Sequence, residues 1–257
     1  MFPRKTFPAF LLTAFVPVVL SKPILIYHAD SYSGAENLKA NLVATGLIGL
    51  SEIDTIDERY SPADLPTLSQ YDCVISYTDL VPNDSIAMGD LLKDFVDAGG
   101  RVTIMTYSYS SPWDLKGAIN DLGYNPFEAT ANRMYNFPRE LDFSSADTEH
   151  FLLDGVTEFT YGGNSNYYEV ILSGSGASLV ASDDYGVPLI AINEAKTVTG
   201  INLFPGNVFS KSPGVYRTIY NSCTVSSKSC LILTLTVPAS NALTHIAVCV
   251  SLSSLII

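Results

Sequence analysis

The sequence predicts an α/β domain with a mainly parallel sheet covered by helices on both faces and with antiparallel strands added late. Three observations carry this. Short apolar runs alternate with amphipathic helical stretches through the first half. The second half changes to short β runs joined by turn-forming residues. Hydrophobic content is 47% against 16% charged, which supports a sizeable core and excludes wholesale disorder.

The elements follow in order. Residues 23–28, PILIYH, form a short apolar run bounded by turn formers and read as a buried strand. Ser33-Gly34-Ala35-Glu36 can start a helix, Leu38, Leu42 and Val43 give it one apolar face, and Gly46 ends it. A second strand is expected within 48–56, near the acidic Asp54 and Asp57. Residues 61–64 read as a turn or short helix start, and 72–77 as a third strand. Asp84-Ser85 opens the next helix, with a buried stripe of Ile86, Met88, Leu91, Leu92, Phe95 and Val96. Gly99-Gly100 stops it, because a left-handed stop strains residues that carry a β-carbon. Residues 101–105 are the fourth strand, and Ser111-Pro112-Trp113-Asp114 is expected to cap a further helix. Helices of this length between strands imply right-handed crossovers and parallel pairing.

Beyond this point residues 125–136 read as a polar, irregular surface excursion. Short β runs follow at 169–172, 178–181, 187–192 and 198–204, with Asp184-Tyr185-Gly186 and 193–196 as hairpin connections. Residues 215–222 read as the last helix. At 257 residues the chain could hold one good-sized domain or two small ones, and neither an internal repeat nor a linker divides it.

The two ends differ from the middle. Arg4 and Lys5 precede a short apolar run, 7–20, and Ser21 offers a small residue for cleavage, so residues 1–21 read as a secretory signal peptide. The domain then spans 22–224, and 225–257 is an apolar tail without Lys, Arg, Asp or Glu after Lys228. Three readings of the tail stay open: a lipid-anchor signal that is removed, a membrane span, or extra strands packed on the domain. No basic cluster follows it, which favours anchoring over spanning. The expected localisation is extracellular or at the cell surface. The formal net charge of −12 makes nucleic-acid binding improbable, since phosphate would be repelled.

Of four cysteines, Cys73 lies inside an apolar strand and reads as a small buried hydrophobe. Cys223 and Cys230 are close enough in sequence to pair in an oxidising compartment, and Cys249 lies in the tail. No cysteine–histidine spacing suggests a metal, and no cofactor is expected. Asn83-Asp84-Ser85 is a glycosylation sequon on a predicted loop.

Taken in order, PILIYHAD, YDCVISY, LLKDFVDAGGRVTIM, EHFLLDGV, ASLVASDDYGVPLIAI with TVTGINLFPG, and VYRTIYNSC resemble the class I glutamine amidotransferase-like superfamily, nearest its trehalose-utilization-like branch. The match covers roughly residues 23–222 and implies a flavodoxin-like three-layer sandwich. Catalytic members of that family carry a cysteine elbow flanked by glycine after the fourth strand. This chain has Met105-Thr106-Tyr107-Ser108 there, with no flanking glycine and no late His-x-Glu pair. The resemblance implies the fold while the elbow chemistry is missing.

Ligands of parallel sheets sit beyond the carboxyl ends of the strands, at the switch in strand order. His28 and Asp30, Tyr77 and Asp79, and Thr106 and Tyr107 end strands one, three and four and are the candidate ligand-binding residues. His28 suits a general base or donor because its ordinary pKa lies near neutrality. Asp30 with Asp79 suits a cation or a sugar hydroxyl, or turn formation and helix capping. Ser108 is a weak candidate nucleophile if His28 reaches it, though the G-x-S-x-G context is missing. His150 invites a dyad with His28, against a structural role in its turn. Tyr107, Tyr109 and Trp113 suit carbohydrate stacking or core cover. Cys73 begins its strand and should lie on the far side. The expected function is a secreted or surface-anchored, non-catalytic domain binding a small molecule, a carbohydrate or a partner, with membrane association through the tail. The rivals are a carbohydrate-active or metal-assisted hydrolase using His28, Asp30 and Asp79, and a purely structural surface protein.

Overall fold

The computed structural model describes residues 24–135, 137–162, 167–174, 176–206, 211–224, 231–239 and 242–250, with backbone alone at 131–135, 167–168, 231–239 and 242–250. The signal segment expected at 1–21 lies outside the described residues. The centre is a seven-stranded sheet. Strands β1 (Ile24–Ala29), β2 (Ile53–Asp57), β3 (Cys73–Thr78) and β4 (Arg101–Met105) pair in parallel in the order β2-β1-β3-β4. β1 and β3 are buried at every position, as their largely apolar runs require of strands covered on both faces.

The helices follow from the direction of these steps. The chain moves one way from β1 to β2 and the other way from β3 to β4, so right-handed crossovers put their helices on opposite faces. Helix α1 (Tyr32–Ala44) starts at Ser31, whose hydroxyl accepts the Gly34 N–H at 3.3 Å. The short α2 (Leu65–Leu68) is capped by Asp64. Helix α3 (Ser85–Asp97) starts at Asp84, whose carboxylate accepts the Ile86 and Ala87 N–H groups at 3.1 and 2.9 Å. It buries Met88, Leu92, Phe95 and Val96. Gly99 ends it with φ +97°, and a Cβ on Gly100 would lie 2.2 Å from Phe95 Cζ, so the second glycine is required by packing.

The late part of the chain has more β structure than its sequence suggests. Most of the stretch expected to be irregular is strand: β5 (Phe127–Tyr135) is antiparallel to β8 (Tyr167–Leu172), with an irregularity between Ala129 and Met134, and residue 136 lies outside the described residues. This ribbon stands outside the main sheet, so its polar residues do not break a core. β6 (Arg139–Glu140) and β7 (Thr160–Tyr161) form a second small ribbon. β9 (Ser178–Ser182), β10 (Pro188–Ile192) and β11 (Val198–Ile201) complete the main sheet. β11 lies parallel beside β4, and β10 runs antiparallel to both β11 and β9. Helix α4 (Pro213–Cys223) closes the fold, packing with α1 on one face while α2 and α3 pack together on the other.

Two expectations are corrected. No α-helix follows Ser111-Pro112-Trp113-Asp114; only a 3-10 turn forms at Ala118–Asn120. The backbone donors a helix would need are spent elsewhere: Leu115 N–H on the Ser108 carbonyl, Lys116 N–H on Ser85 and Ala118 N–H on Asp90. Gly117 also takes φ +74°. The second correction concerns cysteine. Cys73 is disulfide-bonded to Cys223, with Cα atoms 5.2 Å apart across a sequence separation of 150. α4 returns over the sheet and brings its last residue to the amino end of β3, a proximity that sequence spacing cannot show. Cys230 lies outside the described residues.

In the tail, β12 (Leu231–Ala239) and β13 (Ala242–Val250) form an antiparallel hairpin. Among the described residues no helix is long and apolar enough to cross a membrane. Fold class is as expected: a flavodoxin-like α/β sandwich, parallel at first and antiparallel at its late edge.

Candidate functional site

The carboxyl tips of β1, β3 and β4 meet. The Asp79 and Leu80 N–H groups each donate to the Ala29 carbonyl at 2.8 Å, and the Tyr107 N–H donates to the Thr78 carbonyl at 2.8 Å. β1 is flanked by β2 and β3, so the switch in strand order falls there. His28 and Tyr77 are register partners and stack with ring centroids 5.8 Å apart. His28 Nδ1 accepts the Asp30 N–H at 3.2 Å, so the neutral imidazole carries its proton on Nε2. Burial pushes the His28 pKa down to about 4, with the Arg59 charge adding to it against the pull of Asp57.

Asp30 is the most confined acid. It is buried, and its Oδ1 accepts the Ser31 N–H at 2.5 Å. Its Oδ2 has no hydrogen-bond partner among the described residues. A Cβ on Gly34 would sit 1.9 Å from that oxygen and one on Gly206 2.5 Å, so two glycines make room for the carboxyl. Burial raises its pKa to about 6, helped by the nearby charge of Asp79. Burial raises Asp79 as well. It also lifts the Tyr77 phenol well above its ordinary range, with the negative charge of Asp30 beside it. Tyr77 Oη and Asp30 are near enough to act on each other's protonation, but their geometry closes no hydrogen bond.

The β4 tip is covered by aromatic rings. Thr106 is fully buried and its hydroxyl donates to Asn202 Oδ1 at 3.2 Å. Tyr107 lies 5.2 Å, centroid to centroid, from both Phe204 and Trp113, and Phe204 meets Tyr77 edge-on at 5.7 Å. The rings of Tyr77, Tyr107 and Phe204 therefore fill the space over the strand tips. Ser108 does not face His28. It lies on the wall of another cleft, whose lining contains no histidine.

The other candidates separate. Cys73 is in register with Ile24 and Arg101 at the amino ends of their strands, far from the tips. His150 caps the 3-10 turn Phe151–Leu153, its Nδ1 accepting the Leu152 N–H at 3.3 Å. Its electrostatic neighbours are Asp147 and Lys196, and Lys196 stands just before the amino end of β11. No dyad with His28 forms from that end of the sheet.

Sequence reasoning named Asp57 at the end of β2 but missed Glu58 and Arg59 just after it. Arg59 donates to both Asp57 oxygens, at 2.9 and 2.5 Å, and to the Asp30 carbonyl at 2.6 Å. Asp57 raises the Arg59 pKa through these bonds. Glu58 is buried, and its carboxylate accepts the Asn83 and Asp84 N–H groups at 2.7 and 3.1 Å, just ahead of α3. An acid–acid–base triplet closing a strand was the available signal. Among the described residues, no group of three or more His, Cys, Asp or Glu side chains is arranged to hold a metal ion.

No family model and no curated protein match the chain. Solved structures do. A ThuA-like protein from Bacteroides uniformis superposes with TM-score 0.51 at 15% identity, covering 81% of this chain and 94% of that one. A GMP synthase protein from Thermoplasma acidophilum gives TM-score 0.49 at 10% identity, covering 79% and 92%. The glutaminase domain of Trypanosoma brucei CTPS gives 0.48 at 6%, covering 78% and 93%. At such identities the likeness is one of fold alone, the α/β architecture shared with the ThuA-like protein.

Proposed function

We propose that this chain is a secreted or surface-anchored, non-catalytic domain on an amidotransferase-like scaffold, and that it binds a small ligand. One observation carries the reading. Where catalytic members present a thiolate after the fourth strand, Thr106, Tyr107 and Ser108 stand buried, and Phe204 and Trp113 close over Tyr107. Cys73 and Cys223 are tied to each other at the opposite end of the sheet. A nucleophile needs a base within hydrogen-bond reach, and Ser108 Oγ has no partner among the described residues.

The test is direct. Purified protein should release no ammonia from glutamine and hydrolyse no simple amide above a buffer blank. Ammonia release that Thr106→Ala or Ser108→Ala abolishes would overturn the proposal. Secretion is tested by mass spectrometry of the mature protein, which should begin near Lys22.

A second reading, a hydrolase using His28, Asp30 and Asp79, draws on Asp30: a buried acid whose pKa is raised to about 6 can donate a proton near neutrality. It predicts turnover of a glycoside or ester substrate that falls sharply in Asp30→Asn. Absence of turnover across such a panel removes it.

A further inference from the structure

The loop between β3 and α3 carries a motif that the strand-tip site does not use. Asn83-Asp84-Ser85 is the sole Asn-x-Ser/Thr triplet in the 257 residues, and its middle residue is not proline. The fold holds this triplet by its backbone. The Glu58 carboxylate accepts the Asn83 and Asp84 N–H groups at 2.7 and 3.1 Å, and the Asp84 carboxylate is spent on capping α3. The Asn83 side chain stays outside this bonding. It is exposed, and its amide makes no hydrogen bond among the described residues. An amide in that state can carry a large substituent with no packing or hydrogen bond to break.

The surroundings are apolar for an exposed loop. Leu80, Val81 and Ile86 lie within three residues of Asn83 in the chain and are 39%, 57% and 55% exposed. Tyr60, two residues beyond Glu58, is 80% exposed. Clustered apolar side chains left in water invite association unless something covers them. A glycan is bulky and solubilising. The C–H faces of its first sugars can lie on such side chains while the hydroxyls stay in water. The one acceptor asparagine of the chain therefore stands in the middle of surface that a glycan would shield.

We propose that Asn83 is N-glycosylated and that the first sugars of the glycan cover Leu80, Val81 and Ile86. The proposal rests on the reading of the chain as secreted, since its donor, a lipid-linked oligosaccharide pyrophosphate, is met on the secretory route. In the transfer, Asn83 Nδ2 forms a bond to C1 of the first sugar and loses one proton to a base of the transferring enzyme. The bond from C1 to the pyrophosphate oxygen breaks, and the lipid pyrophosphate leaves with that electron pair. Transfer to the chain precedes folding, so the fold has only to leave room at Asn83, and the exposed, unbonded side chain does so.

The experiment is expression of the full chain, with its own amino terminus, in a eukaryotic secretory host. Intact mass is measured on the secreted protein before and after enzymatic removal of N-glycans. The parent should lose the mass of one glycan, and peptide mapping should find aspartate in place of Asn83 after the enzyme has cut. Asn83→Gln and Ser85→Ala should each be secreted at the glycan-free mass. Removing the glycan from the native parent should raise its binding of an apolar dye while thermal unfolding shows it still folded. That arm needs no substitution, so it stands even where a variant fails to fold. Secreted parent without a glycan, or a glycan that persists in Asn83→Gln, overturns the site. Dye binding unchanged by deglycosylation overturns the covering role. A chain retained in the cell without a glycan overturns instead the secretory reading on which the site depends.

Discussion

Asp30 holds a carboxyl group where water cannot reach it. In the unfolded chain its pKa is that of an ordinary aspartate, near 3.8, and in the fold burial raises it to about 6. Between those values the folded state holds the proton and the unfolded state does not, so stability falls as pH rises through this window. His28 acts in the opposite sense. Its pKa drops from 6.5 to about 4 on folding, so stability is lost as pH falls through that interval. The two slopes oppose each other between about pH 4 and 6. Above that window the Asp30 cost remains. Asp30→Asn keeps the size and removes the charge, and should raise stability at pH 8 by roughly 1–3 kcal/mol while changing little at pH 4. Chemical denaturation at the two pH values checks this; an equal effect at both would show that charge burial is not the cause. That Asp30 ends a strand is legible in the sequence. That Gly206 crowds its Oδ2 alongside the neighbouring Gly34 is not, because Gly206 meets it from a distant part of the chain.

At the scale of elements, local signals are legible where one element satisfies its own backbone. α3 carries its cap, its apolar stripe and its glycine stop within one stretch, and the structure keeps all three. Its cap nevertheless has help from outside, since Glu58 accepts the N–H groups of Asn83 and Asp84. Asp84→Ala should therefore cost about 1 kcal/mol, the usual loss for an N-cap. Glu58→Ala should cost more, because it leaves two buried-side donors without their carboxylate and empties a fully buried position. Urea titrations of the two variants test the ordering, and Glu58→Ala milder than Asp84→Ala would refute it. The same logic explains where the sequence misleads. Ser111-Pro112-Trp113-Asp114 has the composition of a helix start, but the N–H groups after it bond to Ser108, Ser85 and Asp90. β5 belongs to a two-stranded ribbon outside the main sheet and buries Phe127 at its start while residues 128–130 are exposed, so little of it enforces a period of two.

The whole molecule is closed by the link between Cys73 and Cys223, which spans most of the domain. Cross-linking a loop of this length limits the unfolded ensemble more than a short loop does. The double variant Cys73→Ala/Cys223→Ala should lose roughly 2–5 kcal/mol of stability. Calorimetry should show its Tm lower by about 2–4 °C for each kcal/mol lost. An unchanged Tm would mean that the bond is not formed in the native protein. This link also bears on function, because it places the paired sulfurs at the amino edge of the sheet, away from the strand tips.

Composition and periodicity alone determined that this chain forms a parallel α/β sandwich, where its main strands lie, and which residues end them, because each of those signals is written within a few neighbouring positions. Which of those end residues share a space was decided only by the tertiary structure. The sheet order brings His28, Asp30, Tyr77 and Asp79 together, lets Phe204 and Tyr107 fill the room above them, and turns Ser108 into a different cleft. It also pairs two cysteines that sequence distance would have kept apart. Proximity across a sheet depends on strand order and helix return, and neither leaves a mark on adjacent residues.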